Sequence, residues 1–85
     1  MIDEIKKEIK IGKLVIGTRS SLKELKNGKL RKVFLSSNCP DNIKTEVHKL
    51  GQVFSTEIEV LTVPNDELGT ICKKQFSISI IGEKK

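Results

Sequence analysis

The sequence predicts an α/β domain in which one sheet of short aliphatic strands lies between layers of helices. Three observations carry this. Amphipathic stretches of helical period alternate with brief β-branched runs in the order αβαβαβαβ, the pattern of a three-layer α/β/α sandwich. The chain has 85 residues, enough for a single domain over residues 1–85 with a modest core. It is 36% apolar but only 4% aromatic, which suits small strands covered by helices better than two packed sheets. The direction of each strand does not follow from the pattern.

In chain order, Ile2, Ile5 and Ile9 make one face of an opening helix, with acids early and lysines late as the helix dipole favours. Leu14-Val15-Ile16 is a short buried strand. Gly17 begins a turn into a basic helix whose Leu22 and Leu25 face inward. Either Gly17 or Thr18 caps that helix, or Ser21 and Glu24 form a capping box and start it one turn later. Asn27-Gly28 supplies its left-handed stop.

Val33-Phe34-Leu35 is the second strand. Pro40 suits the first turn of a third helix with Ile43, Val47 and Leu50 as its stripe before Gly51. Ile58, Val60 and Thr62 belong to a third strand ended by Pro64. Asn65 caps a short helix with Asp66 and Glu67 in its first turn and Leu68, Ile71 and Cys72 inward; Lys73 and Lys74 close it. Phe76, Ile78 and Ile80 alternate with Ser77 and Ser79 in a last strand, leaving residues 82–85 frayed.

Charge is uneven along the chain. Sixteen basic residues face 11 acids, for a net charge of +5, and eight of the basic residues lie between Lys10 and Lys32 with Glu24 alone opposing them. Between Asp41 and Glu67, six acids face two lysines. This segregation points to one positive and one negative face, and the positive one fits a polyanion.

Several chemistries have no residues to perform them. Cys39, Cys72 and the single His48 match no familiar zinc spacing, so the thiols read as structural and the setting as reduced and cytoplasmic. No apolar run is long enough to span a membrane. The serines have only His48 as a base, so no hydrolytic triad forms. Gly17 to Ser21 lacks both nucleotide-binding fingerprints.

What the sequence offers is donors. A helix N-terminus at Gly17, Thr18, Arg19 and Ser20 presents backbone N–H groups to an anion. Arg19 and Lys23 stand about one turn apart and can neutralise phosphates. Asn38, with both a donor and an acceptor, can read a base edge or a 2′-hydroxyl, or it can serve as an Asx cap before Pro40.

Four segments then matter together: Gly17-Thr18-Arg19-Ser20-Ser21-Leu22-Lys23, Asn27-Gly28-Lys29, Val33 to Pro40 ending in Ser-Asn-Cys-Pro, and Glu67-Leu68-Gly69-Thr70. In order and spacing they resemble the L-thirty-e branch of the kink-turn RNA-binding superfamily of ribosomal proteins, which also contains L-seven-Ae, over nearly the whole chain. The resemblance implies a mixed four-stranded sheet, no cofactor and no catalysis. It implies a structural, RNA-binding protein of the large ribosomal subunit that holds a kink-turn or similar internal loop, monomeric when free, with ribosomal proteins as further neighbours.

By the same resemblance Gly17 meets the RNA backbone, Arg19 replaces a lysine with its charge kept, and Lys23 matches the lysine one turn on. Asn38 matches the base-reading asparagine, Phe76 an aromatic that packs on a nucleotide, and Ile78 a neighbouring aliphatic contact. Lys73 and Lys74 bring charge to the same loop.

The chain also departs from the pattern. The turn lacks the Asn-Glu pair of the L-seven-Ae branch, so that branch's reading of sheared G·A pairs does not carry over. Lys73 stands where the family usually has glycine, and the family's acidic C-terminal extension is missing after Lys85. A stand-alone kink-turn protein outside the ribosome, or an interaction module that kept the fold and docks proteins on its acidic half, are the alternatives.

Overall fold

The computed structural model describes Gly12 and residues 14–85. The opening helix expected around Ile2, Ile5 and Ile9 lies outside the described residues. The remaining elements follow the expected alternation: β1 (Leu14–Ile16), α1 (Thr18–Lys26), β2 (Leu30–Leu35), α2 (Asp41–Phe54), β3 (Glu57–Val60), α3 (Asn65–Ile71) and β4 (Ile80–Lys84).

The four strands form one mixed sheet in the order β1-β4-β2-β3. β4 runs antiparallel to both β1 and β2, and β3 runs parallel to β2. Val33, Phe34 and Leu35 are all fully buried because β2 is covered on both faces. Leu35 and Val33 join Leu25, Leu30, Val47 and Ile80 under α1 and α2. On the opposite face Phe34 packs with Leu61, Leu68, Cys72, Ile78 and Ile81 beside α3. Each such side chain contributes about 1.5–3 kcal/mol of burial. The result is the three-layer sandwich.

The third strand stops at Val60, short of the expected Thr62; three further boundaries differ from expectation, each for a packing reason. α2 does not stop before Gly51 but runs through it to Phe54. A Cβ on Gly51 would lie 2.9 Å from Ile58 Cδ1, so this glycine brings the helix close to β3 instead of ending it. β2 starts at Leu30, three residues before its apolar run, because Leu30 is itself in the core.

The third difference is the largest. The last strand starts at Ile80, not Phe76, and the residues expected to fray form most of it: Val15 and Val33 both pair with Gly82, and Glu83 is fully buried. Residues 76–79 are instead held against α3, where the Ile78 N–H donates to the carbonyl of Asn65 at 3.0 Å.

The helices end alike. A residue in the left-handed region follows each one: Gly28 at φ 67°, Ser55 at φ 55° and Lys73 at φ 59°. After α1, the N–H groups of Gly28 and Lys29 reach back to Leu25 and Glu24, both at 3.0 Å; after α3, those of Lys73 and Lys74 reach back to Thr70 and Gly69 at 3.0 and 2.9 Å. This double bond is the Schellman closure.

Candidate nucleic-acid interface

The pairing directions place the C-terminal ends of β1, β2 and β3 at the same edge of the sheet as the start of β4. Three segments meet there. The first is the turn into α1. Gly17 caps the helix at φ 108°, a conformation that disfavours any side chain, and the space where its Cβ would project is open. The choice among caps is thereby settled for Gly17. Ser21 is buried, and its hydroxyl donates to the Val15 carbonyl at 3.1 Å, so it takes no part in a capping box.

α1 carries no acid in its first turn, whereas α2 begins with Asp41 and α3 with Asp66 and Glu67. The positive end of α1 is therefore the uncompensated one, and its first-turn amides at Thr18, Arg19 and Ser20 find no acceptor among the described residues. Arg19 and Lys23 are exposed and line a shallow hollow with Thr18, Leu22 and Lys26.

The second segment leaves β2 as Ser36-Ser37-Asn38. Asn38 does not cap α2, which has no side-chain cap. Its carboxamide reaches across to α3 instead: Oδ1 accepts from the Asn65 N–H at 2.8 Å, and Nδ2 donates to Asn65 Oδ1 at 3.2 Å. One amide hydrogen and one lone pair of this exposed side chain stay open to solvent.

The third segment follows α3. Lys73, Lys74, Gln75 and Phe76 are exposed, Phe76 at 60%. Gly69 makes this loop possible, because a Cβ there would sit 2.1 Å from the Phe76 carbonyl oxygen. Beside Phe76 lies a hollow lined by Asp66, Thr70, Lys74, Gln75 and Ser77. Ile78 is a correction: at 1% exposure its side chain belongs to the core, so it anchors the loop and is not available as a surface contact.

Backbone bonds lace the segments together. The Gly17 N–H donates to Ile80 at 3.2 Å, the Ser36 N–H to Ser79 at 2.9 Å and the Ser37 N–H to Val63 at 2.8 Å. Gly17, Thr18, Arg19, Ser20, Lys23, Asn38, Lys73, Lys74 and Phe76 thus come from three separate stretches to one end of the sheet. Asn65 was missed as part of this end. The sequence suggests a helix cap there, but Pro64 holds that position and Asn65 joins the second segment to the third.

The charge pattern also needs correcting. The basic excess before Lys32 does not lie on one face: Arg19 and Lys23 sit at the end just described, while Lys29 lies at the opposite end with Lys84 and Lys85 around a second hollow. Three of the six acids between Asp41 and Glu67 are matched by cations. Lys26 pairs with Glu46 at 3.6 Å, and Lys32 bridges Glu57 and Glu59 at 3.1 and 2.9 Å; elsewhere Arg31 meets the buried Glu83 carboxylate.

Cys39 and Cys72 are buried and free. Burial pushes both thiols above their ordinary value, against weaker pulls from Lys44 and Lys74 respectively. Such thiols are poor nucleophiles. His48 is exposed on α2. Among the described residues no group of three or more His, Cys, Asp or Glu is placed to hold a metal, and no helix is long and apolar enough to cross a membrane.

Comparison with known proteins adds an independent line. A family model described as ribosomal protein L7Ae/L30e/S12e/Gadd45 matches residues 1–85. The large ribosomal subunit protein eL30 of Sulfolobus acidocaldarius is 35% identical over 79 residues, covering 93% of this chain and 76% of that protein. The eL30 of Archaeoglobus fulgidus is 35% identical over 75 residues, 88% of this chain and 83% of that protein.

Two solved structures share the fold. A protein of unknown function from Bacillus halodurans superposes with a TM-score of 0.80 at 22% identity, covering 91% of this chain and 76% of that one. A 15.5kD RNA binding protein from Giardia lamblia gives 0.78 at 16% identity, covering 99% and 70%.

Proposed function

This chain belongs to the ribosomal protein L7Ae/L30e/S12e/Gadd45 family, and from that premise we propose that it is a structural, RNA-binding protein of the large ribosomal subunit whose partner is a kink-turn or similar internal-loop RNA. Its relatives at 35% identity carry the name eL30. The observation that carries the reading is the convergence of the Gly17 turn, Asn38 and the 73–76 loop at one sheet end.

At that end each part has a task. The amides of Thr18, Arg19 and Ser20 and the cations Arg19, Lys23, Lys73 and Lys74 hold phosphates. Gly17 lets the backbone approach closely. Asn38 reads a base edge or a 2′-hydroxyl, and Phe76 stacks on an unpaired nucleotide. The protein positions RNA and performs no chemistry, and it works in the cytoplasm with ribosomal proteins as neighbours. The raised thiols support the non-catalytic reading.

Gel-shift titration against a kink-turn RNA and a plain duplex of equal length tests the proposal. The expected result is preference for the kink-turn, with both affinities falling as salt rises because phosphate contacts release counterions. Equal affinity for the two RNAs would overturn it. The docking alternative is disfavoured by the cations that already engage Glu46, Glu57 and Glu59.

A further inference from the structure

Asn38 is exposed, follows the end of β2 and precedes the Pro40 cap of α2. An exposed carboxamide on such a segment turns freely, and a freely turning amide offers donor and acceptor in either order. Here it does not turn freely. The Asn65 N–H can only donate, so it fixes which end of the Asn38 amide is oxygen, at 2.8 Å. The Asn65 side-chain oxygen takes one Nδ2 hydrogen at 3.2 Å. Flipping the amide would set oxygen against oxygen and nitrogen against N–H.

The same residue ties down the third segment, since its carbonyl accepts from Ile78 at 3.0 Å. Asn65 therefore holds the orientation of Asn38 and the seat of the Phe76 loop through one residue.

We propose that Asn65 is a specificity-determining positioning residue: without touching the base that Asn38 reads, it presets the direction of that amide's remaining donor and acceptor. The inference rests on the RNA-interface reading of Asn38. Pre-setting matters because a side chain already held in its bound orientation loses little freedom on binding. It also makes the wrong loop meet a donor where it needs an acceptor, which is how selectivity exceeds simple affinity.

The test is the ratio of duplex to kink-turn dissociation constants, measured at one salt concentration for the intact chain and for Asn38→Ala, Asn65→Ala, Asn65→Asp and the double alanine variant. Asn38→Ala should lower the ratio roughly 5- to 150-fold, the range of a lost base-edge contact. Asn65→Ala removes the side-chain oxygen that holds Asn38 Nδ2 but keeps the backbone N–H on Oδ1, so it should lose only part of the same factor, and the double variant should be no worse than Asn38→Ala alone. Asn65→Asp keeps an oxygen for Asn38 Nδ2, so it should restore most of the ratio even as its charge weakens binding to both RNAs.

A purely structural role for Asn65 would lower both affinities together and leave the ratio unmoved. An unchanged ratio in Asn65→Ala overturns this inference alone. So do losses that multiply in the double variant, which would mean that Asn65 contacts RNA itself. An unchanged ratio in Asn38→Ala removes the reading of Asn38 and this inference with it.

Discussion

The two ends of the sheet are both basic, yet they are built differently. At the far end Lys29, Lys84 and Lys85 surround a hollow with Glu24, and one long backbone bond, Lys85 N–H to Lys29 at 3.2 Å, ties Lys85 to the entry of β2. At the near end, charge is combined with a helix N-terminus free of acids, an oriented amide, an exposed ring and three segments laced by backbone bonds. Charge alone attracts any polyanion. Recognition of one RNA shape needs the fixed polar groups, and among the described residues the near end is where they lie.

The sharpest way to break this contrast is to unseat the near end's loop. In Gly69→Ala the new methyl collides with the Phe76 backbone, 2.1 Å away, and a backbone cannot swing aside as a side chain can. Overpacking of this kind costs about 1–3 kcal/mol. Thermal melting should fall accordingly, and kink-turn binding should fall further than duplex binding. Asn38→Ala should leave the loop seated but cost about 1–3 kcal/mol of preference for the kink-turn in gel shifts.

The two glycine-like helix ends give a finer comparison. α1 closes on Gly28 at the far side, and α3 closes on Lys73 with nearly the same φ, where a side chain costs about 1–2 kcal/mol. Lys73→Gly should therefore raise stability by up to about 1 kcal/mol in denaturant melts, after the entropic cost of glycine. It should weaken RNA binding at the same time. That opposite movement is expected of strain kept at a working surface.

Smaller still is the loss of single cations. Lys23→Ala should reduce the slope of log affinity against log salt by about 0.9 for the kink-turn RNA. Lys84→Ala should leave that slope unchanged if recognition belongs to the near end. The buried thiols give the weakest effect: because burial raises their pKa in the fold, their contribution is complete below the ordinary thiol value of about 8.5 and is lost as pH rises through the raised one. Iodoacetamide at neutral pH should label Cys39 and Cys72 only after denaturant is added.

What the sequence made legible follows from the range of the interactions. Leu14–Ile16 could be read to the residue because a β-branched run between glycines is a local signal. Gly17 could be singled out for the same reason, although its choice over Ser21 as cap depended on Ser21 being drawn inward by Val15. The last strand was misplaced because Phe76, Ile78 and Ile80 alternate as well as a real strand does. What breaks that alternation is the contact of Gly69 with Phe76 and of Asn65 with Ile78, neither of which has a local trace.

Asn38 and Asn65 are joined across 27 positions, so no spacing rule connects them. The division of the lysines between two ends was equally hidden. It follows from the direction of β2, which starts beside Lys29 and ends at Leu35, beside Asn38.

The sheet order has a consequence for how the molecule comes into being. β4 is the last of the described strands to be synthesised, yet it occupies an interior position between β1 and β2. Until residues 80–84 emerge from the translating ribosome, β1 has no neighbour in the sheet and β2 has only β3. Ile80 and Ile81 complete opposite faces of the core, so both hydrophobic layers stay open until the same moment. Before then β2–β3 is the only native strand pair available among the described strands, and its inner edge stays unpaired, the kind of edge most prone to pair with a stranger.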